Sequence, residues 1–355
     1  MIKNLIIGSG FSAAMVKILL KEKARVLSLT SHNNLRSKDF IRRKSLESNK
    51  FFSKKSLSLG STKFILKKGR LHDRLTHGGN SNIWGGHINL KKIPKNLINF
   101  FIKKKIFFQK LSFSITGTTS HNKNLAQLQV TSGEIFKAQD LLNIVENAFI
   151  LNFFIKKKKI YVNLFFLDSL KKKKVEVKKL FLCLGTIQLI DLLYRSKFLK
   201  ENDIIELSEF DHQFNLGFKK SKYKKNTTII RYSFARAVGH FLGVQSYSKY
   251  LKLLNFVPFC IDQIFYNNKT KYALQIKDGI FTEKMSSNNT KSNFGKSIHY
   301  CNMKINGVFI NDFLTKININ LLGFGMPFVN QSVPGPISND IIFDVKKKLS
   351  LLKSK

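Results

Sequence analysis

Leu5, Ile6 and Ile7 follow one another without a polar break, the pattern of a strand covered on both faces, predicted over residues 4–8. Residues 11–22 then place Phe11, Ala14, Met15, Ile18 and Leu19 on one side of a predicted helix, and residues 25–29 form a second strand. Strand, helix and strand close within about 30 residues, the span of a βαβ unit. From residue 31 to residue 75 the pattern is lost in polar and basic residues, which predicts a long excursion rather than a continuing regular fold. Between residues 125 and 185 short apolar stretches return and predict an antiparallel hairpin layer. Its strands are expected at 161–168 and 175–184, joined by a solvated turn at 169–174. The second of these ends in Gly185 and leads into an apolar helix over 187–195. Further strand-like fragments lie at 227–234 and 272–276, and a final helix is predicted over 339–352.

The first strand-to-helix turn reads Gly8-x-Gly10-x-x-Ala13, in the setting where such a string cradles a dinucleotide. Gly8 permits the tight turn, Gly10 lets the backbone approach a pyrophosphate, and Ala13 lets helix and strand pack closely. Phe11, Ser12 and Ala13 begin the helix, whose N-terminal N–H groups and positive dipole end would face the anion. A ligand-free turn can carry the same string, and NAD or FAD would satisfy it equally. A second glycine segment, Gly78-Gly79-Asn80-Ser81-Asn82-Ile83-Trp84-Gly85-Gly86, surrounds the single tryptophan and cannot be an ordinary helix or strand. It is either a structural turn holding Trp84 or a stretch of bare backbone meant to lie against a flat ligand. The second reading favours FAD over NAD. Gly185 is open in the same way, as a helix-entry residue or a point of close approach.

Charge alters the picture less than its size implies. The chain of 355 residues carries 62 Lys plus Arg against 21 Asp plus Glu, a net of +41. The lysines come in runs, such as 103–105, 156–159, 171–174 and 346–348, each beside apolar segments. Joint abundance of Phe, Ile, Asn and Lys is what drift toward A/T-rich codons produces, so nucleic acid is not the expected partner and peripheral contact with a membrane stays open. Cys183, Cys260 and Cys301 form no C-x-x-C pair, which argues against a disulfide framework or zinc site and for a reducing, cytoplasmic setting. The spacing of His72, His77 and His87 fits no metal-binding pattern. No apolar stretch is long enough for a membrane span, and Gly8 and Gly10 interrupt the run that would otherwise imitate a secretory signal. No G-x-S-x-G, Walker or H-E-x-x-H string points to hydrolase chemistry.

Taken in order, four islands resemble the FAD-dependent glucose-methanol-choline oxidoreductases. They are the fingerprint at 8–13, the Gly78–Gly86 loop, the Leu182-Cys183-Leu184-Gly185-Thr186 strand end, and a late histidine, His299, followed by a proline-rich turn and helix. Asp211-His212 also falls where that family often carries such a pair. The resemblance implies an α/β fold: an FAD-binding doubly wound, Rossmann-like domain with a smaller mixed β-sheet substrate domain. Its parts would be 1–100 and 101–215 for the FAD domain, 216–295 for a reduced substrate domain, and 296–355 for the return to the FAD domain. The Gly78–Gly86 loop would lie along the pyrophosphate and isoalloxazine, and Gly185 near the adenine side. His299 would be the base that takes the hydroxyl proton of an alcohol or saccharide substrate. The electron acceptor is left open.

Departures from the family pattern accompany these matches. Thr30 stands where an acidic residue normally bonds the adenosine ribose, Gly335 precedes Pro336 where the family places a second His or Asn, and Gly323-Phe324-Gly325 lacks a customary acid. They leave room for a catalytically degenerate member acting in binding or assembly, or for a polyanion-binding protein using its lysine runs.

Overall fold

The computed structural model describes residues 1–20, 22–28, 53–54, 56–59, 62–65, 71–72, 87–89, 93–103, 108–110, 125–128, 145–218, 227–233, 258–286, 301–331 and 337–352. In chain order these form β1 (Ile2–Ile7), α1 (Phe11–Leu19), β2 (Arg25–Ser28), β3 (Ser53–Lys54), β4 (Ser56–Leu59), β5 (Thr62–Ile65), β6 (Leu71–His72), β7 (His87–Asn89), α2 (Lys95–Lys103), β8 (Phe108–Lys110) and β9 (Leu125–Leu128). They continue with β10 (Val145–Lys156), β11 (Lys159–Phe166), β12 (Lys171–Leu182), α3 (Thr186–Arg195), β13 (Ile204–Phe218), β14 (Thr227–Ser233), β15 (Phe259–Lys277) and β16 (Ile280–Ser286). The last are β17 (Cys301–Ile305), β18 (Val308–Phe309), α4 (Ile310–Ile317), β19 (Leu321–Gly323), a 3-10 turn at Met326–Phe328, and α5 (Ser338–Leu351).

The first sheet has a parallel heart. β1 runs beside β2 on one edge and β12 on the other, with Ile2 opposite Val177 and Ile7 opposite Leu182. β19 extends the sheet beyond β12, and residues 145–147 of β10 extend it beyond β2. The remainder of β10, then β11 and the first half of β12, form an antiparallel ribbon that leaves the parallel sheet at one edge and re-enters it next to β1. Leu5, Ile7, Leu180 and Leu182 join the core on the side of that ribbon and α3, whereas Ile6 and Phe181 join a second core beneath α1 and α5. Burial on both faces is why β1 reads as an uninterrupted apolar run.

A second, largely antiparallel sheet follows the order β18-β17-β13-β15-β16-β5-β4, with β14 pairing β15. Its apolar face, with Ile205, Leu207, Leu274, Ile276 and Met303, belongs to the same core as the ribbon and α3. Two smaller sheets pair β3 with β6 and β9 with β7 and β8.

Two expectations need correction. The polar excursion contributes regular structure: β4 and β5 add to the second sheet, β5 parallel to β16. Phe64 of β5 is completely buried and stacks on Phe281 at 4.6 Å. A strand this short offers too few positions for its alternation to stand out against polar flanks. The second correction concerns the lysine run at 171–174, expected in a turn. It lies in β12, opposite residues 163–166 of β11, while the turn occupies 167–170. Ladder hydrogen bonds use only the backbone, so an exposed strand end tolerates lysines on both faces.

Candidate functional site: the glycine turn at the strand ends

The turn between β1 and α1 is shaped by backbone contacts. Gly8 has φ +108°, a conformation that L-residues avoid, and its N–H donates to the Leu27 carbonyl at 3.0 Å. A Cβ at this position would run into the backbone carbonyl of Cys183, whose own N–H donates to the Ile7 carbonyl at 2.8 Å. Gly8 therefore serves the close approach of β1 and β12 as well as the turn. Gly10 is the N-cap of α1, in extended conformation, and its carbonyl accepts from the Ala14 N–H at 3.1 Å. Gly10 brings no side chain to cap the helix, and its first turn holds no acidic residue. The N-terminal dipole end is left fit for an anion. Ala13 is completely buried against the sheet, the small contact that brings helix and strand together.

Other strand ends gather at the same place. The Phe324 N–H donates to the Leu182 carbonyl at 2.9 Å, so the chain leaving β19 stays beside the end of β12. It then turns at Gly325, φ +112°, where an added Cβ would lie 3.0 Å from the Ser12 hydroxyl oxygen. Ser12 is also hydrogen-bonded to the Cys183 thiol, and burial pushes that thiol well above its ordinary value against the weaker pulls of Lys348 and Ser12. Carboxyl ends of parallel strands beneath a helix N-terminus are where open α/β sheets bind ligands.

Lys348 on α5 holds this corner in place. Its partly buried ammonium donates to Asn311 Oδ1 at 2.9 Å, the Gly323 carbonyl at 2.8 Å and Asp344 Oδ2 at 2.8 Å. It also sits over the rings of Phe324 and Phe328, 5.3 and 5.4 Å from their centroids. Burial lowers the Lys348 pKa and raises that of Asp344, each opposed by the partner's charge. No sequence signal marked Lys348, which reads as one more lysine in a solvated run.

Gly185 stands a short step away at the N-cap of α3, φ −64° and ψ 158°, where its N–H donates to Gln188 Oε1 at 3.2 Å. That conformation is open to any residue, so the glycine is not required by the turn itself. Farther along α3, the buried Asp191 accepts from Thr62 of β5 at 2.6 Å and pairs with Arg195 at 2.8 Å. Arg195 also donates to the carbonyls of Ile150, at 2.7 Å, and Leu151, where β10 is bulged. This bracket ties the second sheet, α3 and the ribbon together. Asp211 is likewise structural in its setting: buried on β13 at a bulge, it accepts a hydrogen bond from the Thr270 hydroxyl of β15.

The structure thus brings Gly8, Gly10, Phe11, Ser12, Ala13 and Gly185 into one neighbourhood, joined by Gly325, which the sequence reading did not connect to them. Thr30, the Gly78–Gly86 loop with Asn80, Ser81, Asn82 and Trp84, His299 and Gly335 lie outside the described residues. So does the His212 side chain. Among the described residues, no group of His, Cys, Asp and Glu could hold a metal ion.

A parallel sheet with a glycine turn, re-entered by an antiparallel ribbon and packed against a second, largely antiparallel sheet, gives the chain a mixed α/β fold. No protein-family model matches the chain, and no curated protein matches it. Among solved structures, pyridoxine 4-oxidase from Mesorbium loti is similar over 100% of both chains, with TM-score 0.56 and 8% identity. A flavoprotein/dehydrogenase from Cytophaga hutchinsonii gives TM-score 0.27 and 9% identity over 81% of this chain and 73% of that one. A glycerol-3-phosphate dehydrogenase from Bacillus halodurans complexed with FAD gives TM-score 0.26 and 9% identity over 79% and 60%.

Proposed function

We propose that the chain binds FAD non-covalently and oxidises a CH–OH group of a small alcohol or saccharide. The observation that carries the reading is the convergence of the β1, β12 and β19 ends on the uncapped start of α1, with glycine at the point of closest backbone approach. The full-length likeness in fold to pyridoxine 4-oxidase supports it. In this reading the α1 start holds the pyrophosphate, and the Gly323–Gly325 turn, held by Lys348, closes over it. The Gly78–Gly86 loop lies along the cofactor, and Thr30 bonds the ribose through its hydroxyl. The flavin, when bound, supplies the hydride acceptor. His299 accepts the substrate hydroxyl proton as the C–H hydride departs. The second sheet, from β4–β5 and β13–β18, forms the wall over the substrate.

The visible absorbance of the purified protein, before and after incubation with FAD, tests the cofactor. A flavin spectrum that survives gel filtration is expected; a colourless protein that takes up no FAD would overturn the reading. His299→Ala is expected to keep the flavin and slow its reduction by an alcohol at least about a hundredfold. Unchanged reduction would remove His299 from the reaction.

A further inference from the structure

At the far end of β12 from the glycine turn, the chain places aliphatic side chains where neither folding nor solubility accounts for them. The turn at 167–170 carries Leu167, 37% exposed, and Leu170, 73% exposed. Leu170 has φ +51°, a left-handed position that glycine or asparagine fills at least cost and that is unfavourable for a bulky side chain. Immediately behind it Lys171, Lys172, Lys173 and Lys174 are all exposed. The only acid in the segment is Asp168.

We propose that this turn docks on the surface of an anionic lipid bilayer, with Leu167 and Leu170 entering the interface and the lysines meeting the headgroups. Aliphatic groups beside a basic cluster are the pairing that holds a protein on such a surface without crossing it. No helix among the described residues is long and apolar enough to cross a membrane. Single-stranded nucleic acid fits less well. Leucine offers no ring for base stacking, and the nearby Phe154 and Tyr161 are stacked on each other at 5.4 Å with Lys174 over both, at 4.8 and 4.9 Å. A second copy is disfavoured by repulsion between chains of net charge +41.

The test is co-sedimentation of the full chain with vesicles of phosphatidylcholine, with and without phosphatidylserine. Binding is expected only with phosphatidylserine, and weaker at about 0.5 M salt than at about 0.1 M. L167S/L170N keeps a residue suited to the left-handed turn, so its fold is retained; it is expected to weaken partitioning about tenfold. K171Q/K172Q/K173Q is expected to weaken it about a hundredfold, at roughly fivefold per lysine near the surface. K157Q/K158Q, at the opposite end of the ribbon, serves as the charge control and is expected to change it far less. Equal losses in the control and the tip lysine variant, no effect of the leucine variant, or binding of poly(U) in place of vesicles would overturn the proposal.

Discussion

Replacing Gly8 with alanine sets two physical costs against a small gain. Alanine at φ +108° is strained by about 1–3 kcal/mol. Its Cβ would also meet the Cys183 carbonyl, so the ends of β1 and β12 must part and the 2.8 Å bond from the Cys183 N–H to the Ile7 carbonyl is lost or stretched, about 1 kcal/mol more. Reduced freedom of the unfolded chain returns about 0.5 kcal/mol. The expected loss is about 3 kcal/mol, a large share of the roughly 5–15 kcal/mol that stabilises a typical protein. Gly185→Ala is the matched control. Its φ of −64° suits alanine, and the nearest atom to the new Cβ is the Gln188 side-chain oxygen at 3.3 Å, which can move aside. It is expected to stay within about 0.5 kcal/mol of the wild type. Urea denaturation followed by circular dichroism measures both. A Gly8→Ala protein as stable as the wild type, or a Gly185→Ala protein as damaged as Gly8→Ala, would refute the assignment of Gly8 to backbone approach.

Other expectations follow from the same contacts. Phe64→Ala, which empties a fully buried site stacked on Phe281, is expected to cost about 3–5 kcal/mol; a loss below about 1 kcal/mol would mean that β5 does not belong to the core. Arg195→Ala leaves Asp191 buried without its ion partner and should cost about 3–5 kcal/mol, with Arg195→Lys also destabilising because a single ammonium cannot replace the contacts to Asp191, Ile150 and Leu151. Thermal or urea midpoints decide both. The raised Cys183 pKa has a definite sign. Above the ordinary value of 9.0 the unfolded thiol has lost its proton while the native one keeps it. The native state then binds more protons, and stability falls as pH rises. Cys183→Ala should remove part of that alkaline slope; an identical slope in the variant would exclude the effect.

Much of the parallel sheet was legible from pattern alone. β1 and α1 announce themselves through the apolar run and its glycine break, and α3 and α5 through helical spacing. β4 and β5 were not, because a four-residue strand leaves little trace in local pattern and is formed by pairing with β16, more than two hundred residues away. Lys348 illustrates the same limit at the site. In sequence it stands in a lysine run, Lys346 to Lys348, and only the tertiary structure brings Asn311 and the Gly323 carbonyl to that one ammonium, beside Asp344 of its own helix. Gly325 was read as the place of a missing acid, whereas its positive φ and its contact with Ser12 make it part of the turn's architecture.

By itself the sequence determined that a strand, a glycine turn and a helix follow one another over residues 2–19, since period and backbone freedom are local properties of the residues. It also determined that the helix start would present a dipole end with no capping side chain. Tertiary structure decided what the glycines approach. Gly8 meets the end of β12 and Gly325 meets Ser12, contacts between residues brought together only when β12 and β19 align beside β1. The physical reason is that a close approach is a property of two chain segments, and only one of them is in view when the sequence is read locally.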